Sequence, residues 1–516
     1  MVTMAATANK LRPRSARPEL HRQAPLAGAF SVWMAVMFAS PAFALDWRLT
    51  PTLGASATLT DNVNQTATDP QSSLILSATP GFTLQSEGSR RVQAAMIYGL
   101  TGITRSGAGQ SNDLFSALTA DGKAELIDNF LFIDGSAVIS EQIISLLGSQ
   151  ADATINSSNR AATGSYAISP YIKKRFGTFA EAEARYSLTG TIFQNDAANN
   201  IHSNSLSASL ASGTQFNNVF WGLDYLLRDA TVQNGQDARF EHEGGTLGYD
   251  ITRHVRAFGT LGYDSNDYTA TPGTATRGSY WTLGMGWAPS HRANIEASFG
   301  ESYFGRTYNF NFNYHTSYSV WTASYNDGVT DISQQLLNTQ PLNVWLCGNT
   351  LFIGSGALPP SGKTGCIPQG AAPIGTVQVG LANGLYLSKS LLGAAAWSKG
   401  QSSVGLSVFD TRRQYQQLVG LPEDETRGIM ANYAYNLQPH TTLSAGLGLT
   451  NTQSPAGLDS ILARDDNYYT ANFGVSHQFG SQLSGVLTLS RQQRNSNVPT
   501  ADYTQNNLSA SVNMIF

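Results

Sequence analysis

Charged side chains are scarce in this sequence of 516 residues. Asp, Glu, Lys and Arg make up 13% of it, about half of the ~25% that is usual in soluble proteins. The hydrophobic fraction is nevertheless 41% and the aromatic fraction 10%, which excludes an intrinsically disordered chain. Polarity comes instead from Ser, Thr, Asn and Gln, with 49 Gly. Strands with one apolar face and one uncharged polar face have this composition, so it favours an all-β protein embedded in a membrane.

Long apolar runs are also missing. After residue 44, no run approaches the ~20 residues that a transmembrane helix needs. A chain that crosses a bilayer without such helices must form a closed β-barrel, because only closure pairs every backbone N–H and C=O in the absence of water. The soluble alternatives, a β-propeller or a secreted sandwich, would also use many strands, but they explain neither the strand length nor the low charge.

The first 44 residues have the pattern of an export signal. An apolar stretch, Gly28–Ala39, precedes an A-x-A cleavage site at 42–44, which predicts a signal peptide over 1–44 and a barrel over 45–516. The alternative is an uncleaved anchor, for which this stretch is short. The basic residues before it are Lys10, Arg12, Arg14, Arg17 and Arg22. Removing these five and Glu19 from 31 basic and 35 acidic residues leaves 26 and 34, so we expect no nucleic-acid partner.

Apolar residues alternate with polar ones over long segments. In Leu508–Phe516, every second residue from Leu508 is apolar, and Leu483–Arg491 and the segment around Trp281–Trp287 repeat the pattern. Period two is the strand signature, and eight or nine residues match the ~9–11 that cross a bilayer at a tilt. About 22 such strands are predicted, the weakest at Leu131–Ile143 and Arg292–Tyr314. The fold predicted is an antiparallel up-and-down transmembrane barrel.

Connections between these strands are alternately short and long. With the C-terminus in the periplasm, every short turn falls on the periplasmic side and every long loop outside, as in outer-membrane barrels. We therefore expect the outer membrane of a Gram-negative bacterium, with its lipid as a partner. The short turns lie near 87–89, 176–177, 217–218, 289–291, 399–401, 438–440 and 479–481. The long loops lie near 60–72, 144–162, 194–202, 231–239, 266–277, 328–383, 414–425, 453–465 and 495–502.

Seven charged residues fall on the polar face of predicted strands. If the apolar face meets lipid, these side chains point into the lumen, because a charge on the lipid face near the midplane costs about 2–4 kcal/mol. They could orient a polar solute, or they could form ion pairs that hold the wall. The residues are Glu181, Glu183, Arg185, Asp224, Arg228, Arg256 and Glu296.

The two cysteines, Cys347 and Cys366, both lie in the long loop 328–383. In an exported protein an isolated pair predicts a disulfide that closes the loop. A metal site would need further Cys or His nearby, and the loop has no His. This loop could fold into the barrel as a constriction, cover its mouth or project outward, and the sequence leaves the three open.

Three stretches resemble the PEP-CTERM system-associated outer-membrane protein family: Phe304–Val329, Phe409–Tyr415 and Arg491–Phe516. The resemblance extends over essentially the whole mature chain and implies an outer-membrane barrel in a bacterium whose exosortase and exopolysaccharide genes occur together. It implies no catalytic residues. The terminal Phe516 also resembles the signal that the barrel-assembly machinery reads, which makes that machinery an expected partner.

Motifs of catalysis and of cofactor binding are not found. The sequence has no G-x-S-x-G, no H-E-x-x-H, no G-x-x-x-x-G-K-[ST] and no dinucleotide fingerprint, so we expect neither an enzyme nor a cofactor. A catalytic set assembled from distant strands, as in an outer-membrane hydrolase, stays an alternative. A TonB-type receptor would place a plug domain before the barrel, whereas strand-like sequence here begins at Trp47.

Two functions follow from this reading. The first is a passive channel for polysaccharide or other polar solutes, with periplasmic export partners and with loop 328–383 as the occluding element. The second is a structural or assembly barrel that presents surface loops and conducts nothing.

Overall fold

The computed structural model describes residues 46–516, except 88, 90, 108–111, 151, 153, 156–157, 195–196, 339–341, 348–349, 356–365, 370–379, 382, 419–421 and 457–462. The predicted signal peptide, residues 1–44, lies outside the described residues. No helix in the described part of the chain has the length and apolar character needed to span a membrane.

Antiparallel strands make up most of the described chain. Those of the main sheet are β1 (Asp46–Thr60), β2 (Ser73–Glu87), β3 (Val92–Arg105), β4 (Asp113–Ile127), β5 (Leu131–Ile143), β6 (Arg160–Phe176), β7 (Ala180–Phe193), β8 (Ile201–Ser212), β9 (Val219–Val232), β10 (Ala238–Asp250), β11 (Val255–Ser265), β12 (Arg277–Ser290), β13 (Ala293–Ser302), β14 (Gly305–His315), β15 (Ser319–Asp331), β19 (Leu385–Lys399), β20 (Ser402–Tyr415), β21 (Glu423–Gln438), β22 (Thr441–Ser454), β23 (Arg464–Gln478), β24 (Leu483–Ser496) and β25 (Tyr503–Ile515). The strands β16 (Leu342–Cys347), β17 (Thr350–Ser355) and β18 (Cys366–Gln369) form a separate small sheet.

The main sheet closes on itself. Each strand pairs with the next along the chain, β15 pairs with β19, and β1 pairs with β25 from Thr52↔Ile515 to Thr60↔Asn507. The result is a closed antiparallel barrel of 22 strands, which confirms the predicted fold and strand number. The two weakest predictions also hold, since β5 occupies Leu131–Ile143 and β13 and β14 meet through a tight turn at 303–304.

Turn lengths differ between the two ends of the barrel. At one end the hairpins are short, and glycines with positive φ make two of them possible: Gly177 (φ 58°) and Gly400 (φ 62°). Glycine suits these positions because it has no Cβ to clash in a left-handed conformation. At the other end the connections are long, apart from that at 303–304. In outer-membrane barrels the short turns face the periplasm, so we call the second end the extracellular end.

Large apolar side chains cover the outer wall. Leu261 is 70% exposed and Leu447 66% exposed, and their strand neighbours of opposite parity are polar or small. Other leucines of the outer wall that are more than half exposed include Leu59, Leu223, Leu247, Leu283 and Leu487. A surface of this kind is stable in lipid rather than in water.

The long connection after β15 begins later than predicted. Residues 328–331, assigned to loop 328–383 from the sequence, continue β15 and pair with 385–388 of β19. The boundary was missed because Gly, Val, Thr and Asp give no clear alternation. The connection starts with a short helix, α1 (Ile332–Asn338), and goes on to the small sheet of β16, β17 and β18.

The small sheet places the two cysteines opposite each other. Cys347 of β16 is the antiparallel partner of Cys366 of β18. Directly opposed antiparallel residues have Cα atoms about 4.5–5.5 Å apart, a separation that a disulfide can span. The backbone register is therefore compatible with the bond that the sequence predicts.

We expect Cys347 and Cys366 to be oxidised in protein recovered from the outer membrane. The chain-entropy model gives roughly 3 kcal/mol for closing a loop of this length, and the stabilised element is the β16–β18 sheet rather than the barrel. Peptide mapping without reduction should recover the two cysteines in one cross-linked fragment. Two separate thiol peptides, alkylated without prior reduction, would contradict this prediction.

Candidate functional site

Hydroxyl and amide side chains line the lumen of β20–β25. They occupy the positions that alternate with the apolar outer residues, and examples from consecutive strands are Ser407, Thr426, Thr450, Thr470, Gln492 and Asn507. The opposite parity on the same strands carries exposed residues such as Leu406, Ile429, Leu447 and Leu489. Uncharged donors and acceptors therefore dominate this part of the interior.

The β5–β6 loop spans residues 144–159, and its described residues fold into the barrel and reach the opposite part of the wall. The guanidinium of Arg494 on β24 donates to the backbone carbonyls of Leu147 (3.1 Å) and Gly148 (3.0 Å). The hydroxyl of Tyr468 on β23 donates to the carbonyl of Leu146 at 3.1 Å. Both side chains are buried, so these bonds lie where water competes weakly. They fix the loop inside the extracellular end.

The far part of the same loop is held by β3. The Nε of buried Arg105 donates to the carbonyls of Thr154 (3.2 Å) and Ile155 (3.1 Å). Ile155 packs in an apolar cluster with Val63 and Ile103. The loop is thus attached at both ends to different strands of the wall, and it narrows the lumen between them.

A second segment fills another part of the extracellular end. Ile332 of α1 is buried in an apolar cluster with Phe193 and Ile201 of β7 and β8. The described residues that precede β19 are also fixed: Leu381 donates its N–H to the carbonyl of Ile143 at 3.0 Å, and Arg413 donates to the carbonyl of Gly380 at 2.8 Å. This end of the long connection therefore lies in the barrel mouth.

A buried ion pair holds the second segment to the wall. Arg228 of β9 binds Asp331, the last residue of β15, and their side chains are only 10% and 5% exposed. The two strands are not neighbours, so the contact crosses the interior. It places Arg228 in the lumen and gives this residue a structural partner.

Replacing Arg228 by methionine is expected to lower the free energy of unfolding by about 3–5 kcal/mol, because the carboxylate of Asp331 would stay buried without a counter-charge. Urea titration of the refolded wild-type and variant proteins measures this difference in the free energy of unfolding. The matched control is Arg256→Met, since Arg256 lies 3.8 Å from Asp250 and both are about half exposed; there the change should stay below about 1 kcal/mol. Equal changes in the two variants would show that Arg228 has no special role.

Three of the predicted lumenal charges form ion pairs, in two groups, on β5–β7. Glu181 binds Lys173 (2.6 Å) and Arg175 (2.7 Å). Arg185 binds both Asp134 (2.9 Å) and Glu183 (3.2 Å), and its guanidinium lies 3.8 Å from the centre of the Tyr171 ring. These charges are largely compensated within the wall.

The remaining predicted charges differ in their surroundings. Asp224 lies 3.0 Å from Nε2 of His242, whose Nδ1 lies 2.8 Å from Asp264. Arg256 lies 3.8 Å from Asp250, and its guanidinium lies 5.6 Å from the centre of the Phe220 ring. For Glu296 the described residues offer no ion pair within 4.0 Å; its strand partners are Gly286 and Asn311. Whether any of the seven charges contacts a solute stays a prediction.

Sequence reasoning missed the residues that hold the inserted segments. Arg105, Tyr468 and Arg494 all lie on the polar parity of their strands, which was the one available signal. Parity alone cannot distinguish them from charges that face an open lumen, because their partners are backbone carbonyls of a distant loop. Arg413 and its buried partner Asp424 (2.7 Å) were missed for the same reason.

The closed ring, the apolar outer wall and the polar interior define a transmembrane β-barrel of the Gram-negative outer membrane. Neither a family model nor a curated protein matches the chain.

Several solved structures are similar to the chain. One is the siderophore receptor PirA from Pseudomonas aeruginosa, with a TM-score of 0.46 and 10% identity over 91% of this chain and 80% of that chain. Another is the PirA receptor from Acinetobacter baumannii, with a TM-score of 0.48 and 8% identity over 91% and 80%. A third is the FrpB iron transporter from Neisseria meningitidis (F5-1 variant), with a TM-score of 0.45 and 11% identity over 90% and 82%. At this level of similarity the neighbours assign no function to the chain.

Proposed function

We propose that the protein is an outer-membrane channel for polar, largely uncharged solutes, narrowed at its extracellular end by the β5–β6 loop and by α1 with residues 380 and 381. The observation that carries the proposal is the combination of a closed 22-strand ring with a lumen lined by hydroxyls and amides. Barrels of 16–18 strands already leave an aqueous channel, and one of 22 strands is wide enough to need partial filling. The inserted segments supply that filling.

The cargo that we propose is an exopolysaccharide or a related polar polymer. Support comes from the resemblance of three stretches to the PEP-CTERM system-associated family and from the chemistry of the lumen. A polyhydroxylated chain can move past Ser, Thr, Asn and Gln by exchanging hydrogen bonds of similar strength, since each net bond contributes only about 0.5–1.5 kcal/mol. Periplasmic export partners would deliver the polymer to the short-turn end.

Single-channel recording in planar bilayers tests the channel. We expect discrete current steps for the purified protein, and a barrel that stays silent even after removal of the β5–β6 loop would contradict the proposal. Deletion of the gene followed by measurement of secreted polysaccharide tests the cargo separately. Unchanged secretion would remove the export role while leaving a general channel.

A structural barrel that conducts nothing is the second candidate. The observation in its favour is the buried attachment of both inserted segments through Arg494, Arg105, Arg228 and Arg413. In this case the wild-type protein and the loop-deleted variant would differ in stability but both would be silent in the bilayer.

A further inference from the structure

Three basic side chains lie along one part of the periplasmic rim. Arg253 is in the turn between β10 and β11, Arg292 is in the turn between β12 and β13, and Lys399 is the last residue of β19, before the turn to β20. All three are exposed. We call these three residues the basic arc.

The turns that carry the basic arc are neighbours, with the β14–β15 turn between the last two. Backbone N–H groups of one turn donate to carbonyls of the next, from Ala288 to His254 (2.8 Å), from His315 to Arg292 (2.9 Å) and from Ser398 to Tyr318 (2.7 Å). Adjacent strands of a sheet lie about 4.8 Å apart, so successive hairpin turns are about 10 Å apart. The three cations therefore belong to one continuous surface.

This part of the rim has no acidic side chain to compensate the charge. Segments 251–254, 288–293, 314–320 and 397–403 contain neither Asp nor Glu. Asp250, just before the first turn, has lumenal parity and lies 3.8 Å from Arg256. Among the described residues, no carboxylate lies within 4.0 Å of a basic-arc nitrogen. The whole chain has a net charge of −4, so the basic arc is a local excess of positive charge on an acidic protein.

Arginines elsewhere on the same rim are paired. Arg48 lies 3.7 Å from Glu87, and Arg91 lies 2.7 Å from Asp128. A basic side chain at this end of the barrel is therefore compensated where an acidic neighbour is present. The basic arc differs from these arginines because its counter-charge must come from outside the chain.

Aromatic side chains place the basic arc at the level of lipid headgroups. Trp287, Tyr318 and Trp397 are exposed beside the same turns, and Nζ of Lys399 lies 5.4 Å from the centre of the Tyr318 ring. Tryptophan and tyrosine collect at the membrane–water interface, where their rings meet the headgroups. This depth favours a lipid over an acidic periplasmic protein as the source of the counter-charge.

We infer that the basic arc binds the headgroups of anionic phospholipids in the periplasmic leaflet. A guanidinium can donate two parallel hydrogen bonds to a phosphate, and each basic residue near an anionic membrane surface strengthens binding about fivefold. The binding uses the outer rim and not the lumen, so it is independent of what the barrel conducts.

Native mass spectrometry of the folded protein in detergent tests this binding. The probes are phosphatidylglycerol, which is anionic, and phosphatidylcholine, which is zwitterionic, with the same acyl chains. We expect the apparent affinity for phosphatidylglycerol to be at least tenfold higher. Equal affinities would mean that the lipids are held by their acyl chains alone, and would overturn the inference.

The double variant Arg253→Gln, Arg292→Gln locates the site. It should lower the affinity for phosphatidylglycerol about 10- to 30-fold and leave that for phosphatidylcholine unchanged. Both positions are exposed turn residues, and the shift in gel mobility on heating confirms that the variant is folded. Wild-type affinity in this variant would place the lipid elsewhere and overturn the assignment.

Two further variants separate the basic arc from net charge and from structure. Arg48→Gln, Arg91→Gln removes two paired charges from the same rim and should change the affinity less than about threefold. An equal loss there would show that only net charge matters. Arg253→Lys, Arg292→Lys keeps the charge and should keep most of the affinity. A loss as large as that of the glutamine variant would indicate a structural role, and either result would overturn the inference.

Discussion

Replacing Leu447 by arginine is expected to destabilise the assembled barrel by about 2–4 kcal/mol. Leu447 lies near the middle of β22 and is 66% exposed on the outer wall, where lipid cannot solvate a guanidinium. Urea titration of protein folded into lipid vesicles gives the free energy, and the shift in gel mobility on heating gives the folded fraction. Both should fall.

The matched control is Asn472→Arg on the adjacent strand β23. Asn472 pairs with Gly446 and therefore lies at almost the same depth as Leu447, which pairs with Ala471, but it faces the lumen. Because that side is wet, the same charge should cost less than about 1 kcal/mol there, as for exposed charges generally. If Asn472→Arg proved the more damaging of the two, the assignment of lipid and lumen faces would be reversed.

The second large effect is expected from releasing the β5–β6 loop. The double variant Arg494→Met, Tyr468→Phe removes the side-chain donors to the carbonyls of Leu146, Leu147 and Gly148. A hydrogen bond from a charged group contributes about 1.5–3 kcal/mol, so losing one shifts the equilibrium between attached and released loop by about 10- to 150-fold. Single-channel conductance should rise several-fold, or switch between low and high levels.

Arg491→Met is the control for this experiment. Arg491 lies three positions before Arg494 on the same strand, but its guanidinium bonds Asn506 on the outer wall and does not touch the loop. The conductance of the Arg491→Met variant should equal that of the wild-type protein. An identical increase in the two variants would mean that the change comes from a general loosening of β24 and not from the loop.

The barrel itself could be predicted from the sequence because its cause is local. Every second residue of a segment such as Leu508–Phe516 must suit lipid. The strand can therefore be recognised from the pattern of its own segment, without knowledge of the rest of the chain. Turn chemistry is local as well, which is why the hairpins at Gly177 and Gly400 were found. The number of strands was then obtained by counting the alternating segments.

What fills the barrel could not be predicted, because its causes are distant in sequence. The β5–β6 loop has the composition of an ordinary surface loop, and its inward path depends on Arg105, Tyr468 and Arg494, which lie 39 positions or more from the start or end of the loop. Loop 328–383 was the predicted occluding element. Its described ends, α1 and residues 380 and 381, do lie in the mouth, and the β5–β6 loop lies there as well.

Spin labelling along β22 tests the central claim most directly. Single cysteines at 443–451, in a background that lacks Cys347 and Cys366, would carry nitroxides whose collision rates with oxygen and with a water-soluble nickel complex are compared in lipid vesicles. We expect a period of two, with oxygen dominant at Leu443, Leu447 and Leu449 and nickel dominant at Ser444 and Thr450. A flat profile, or one with the helical period of 3.6, would contradict the transmembrane barrel and with it the proposed channel.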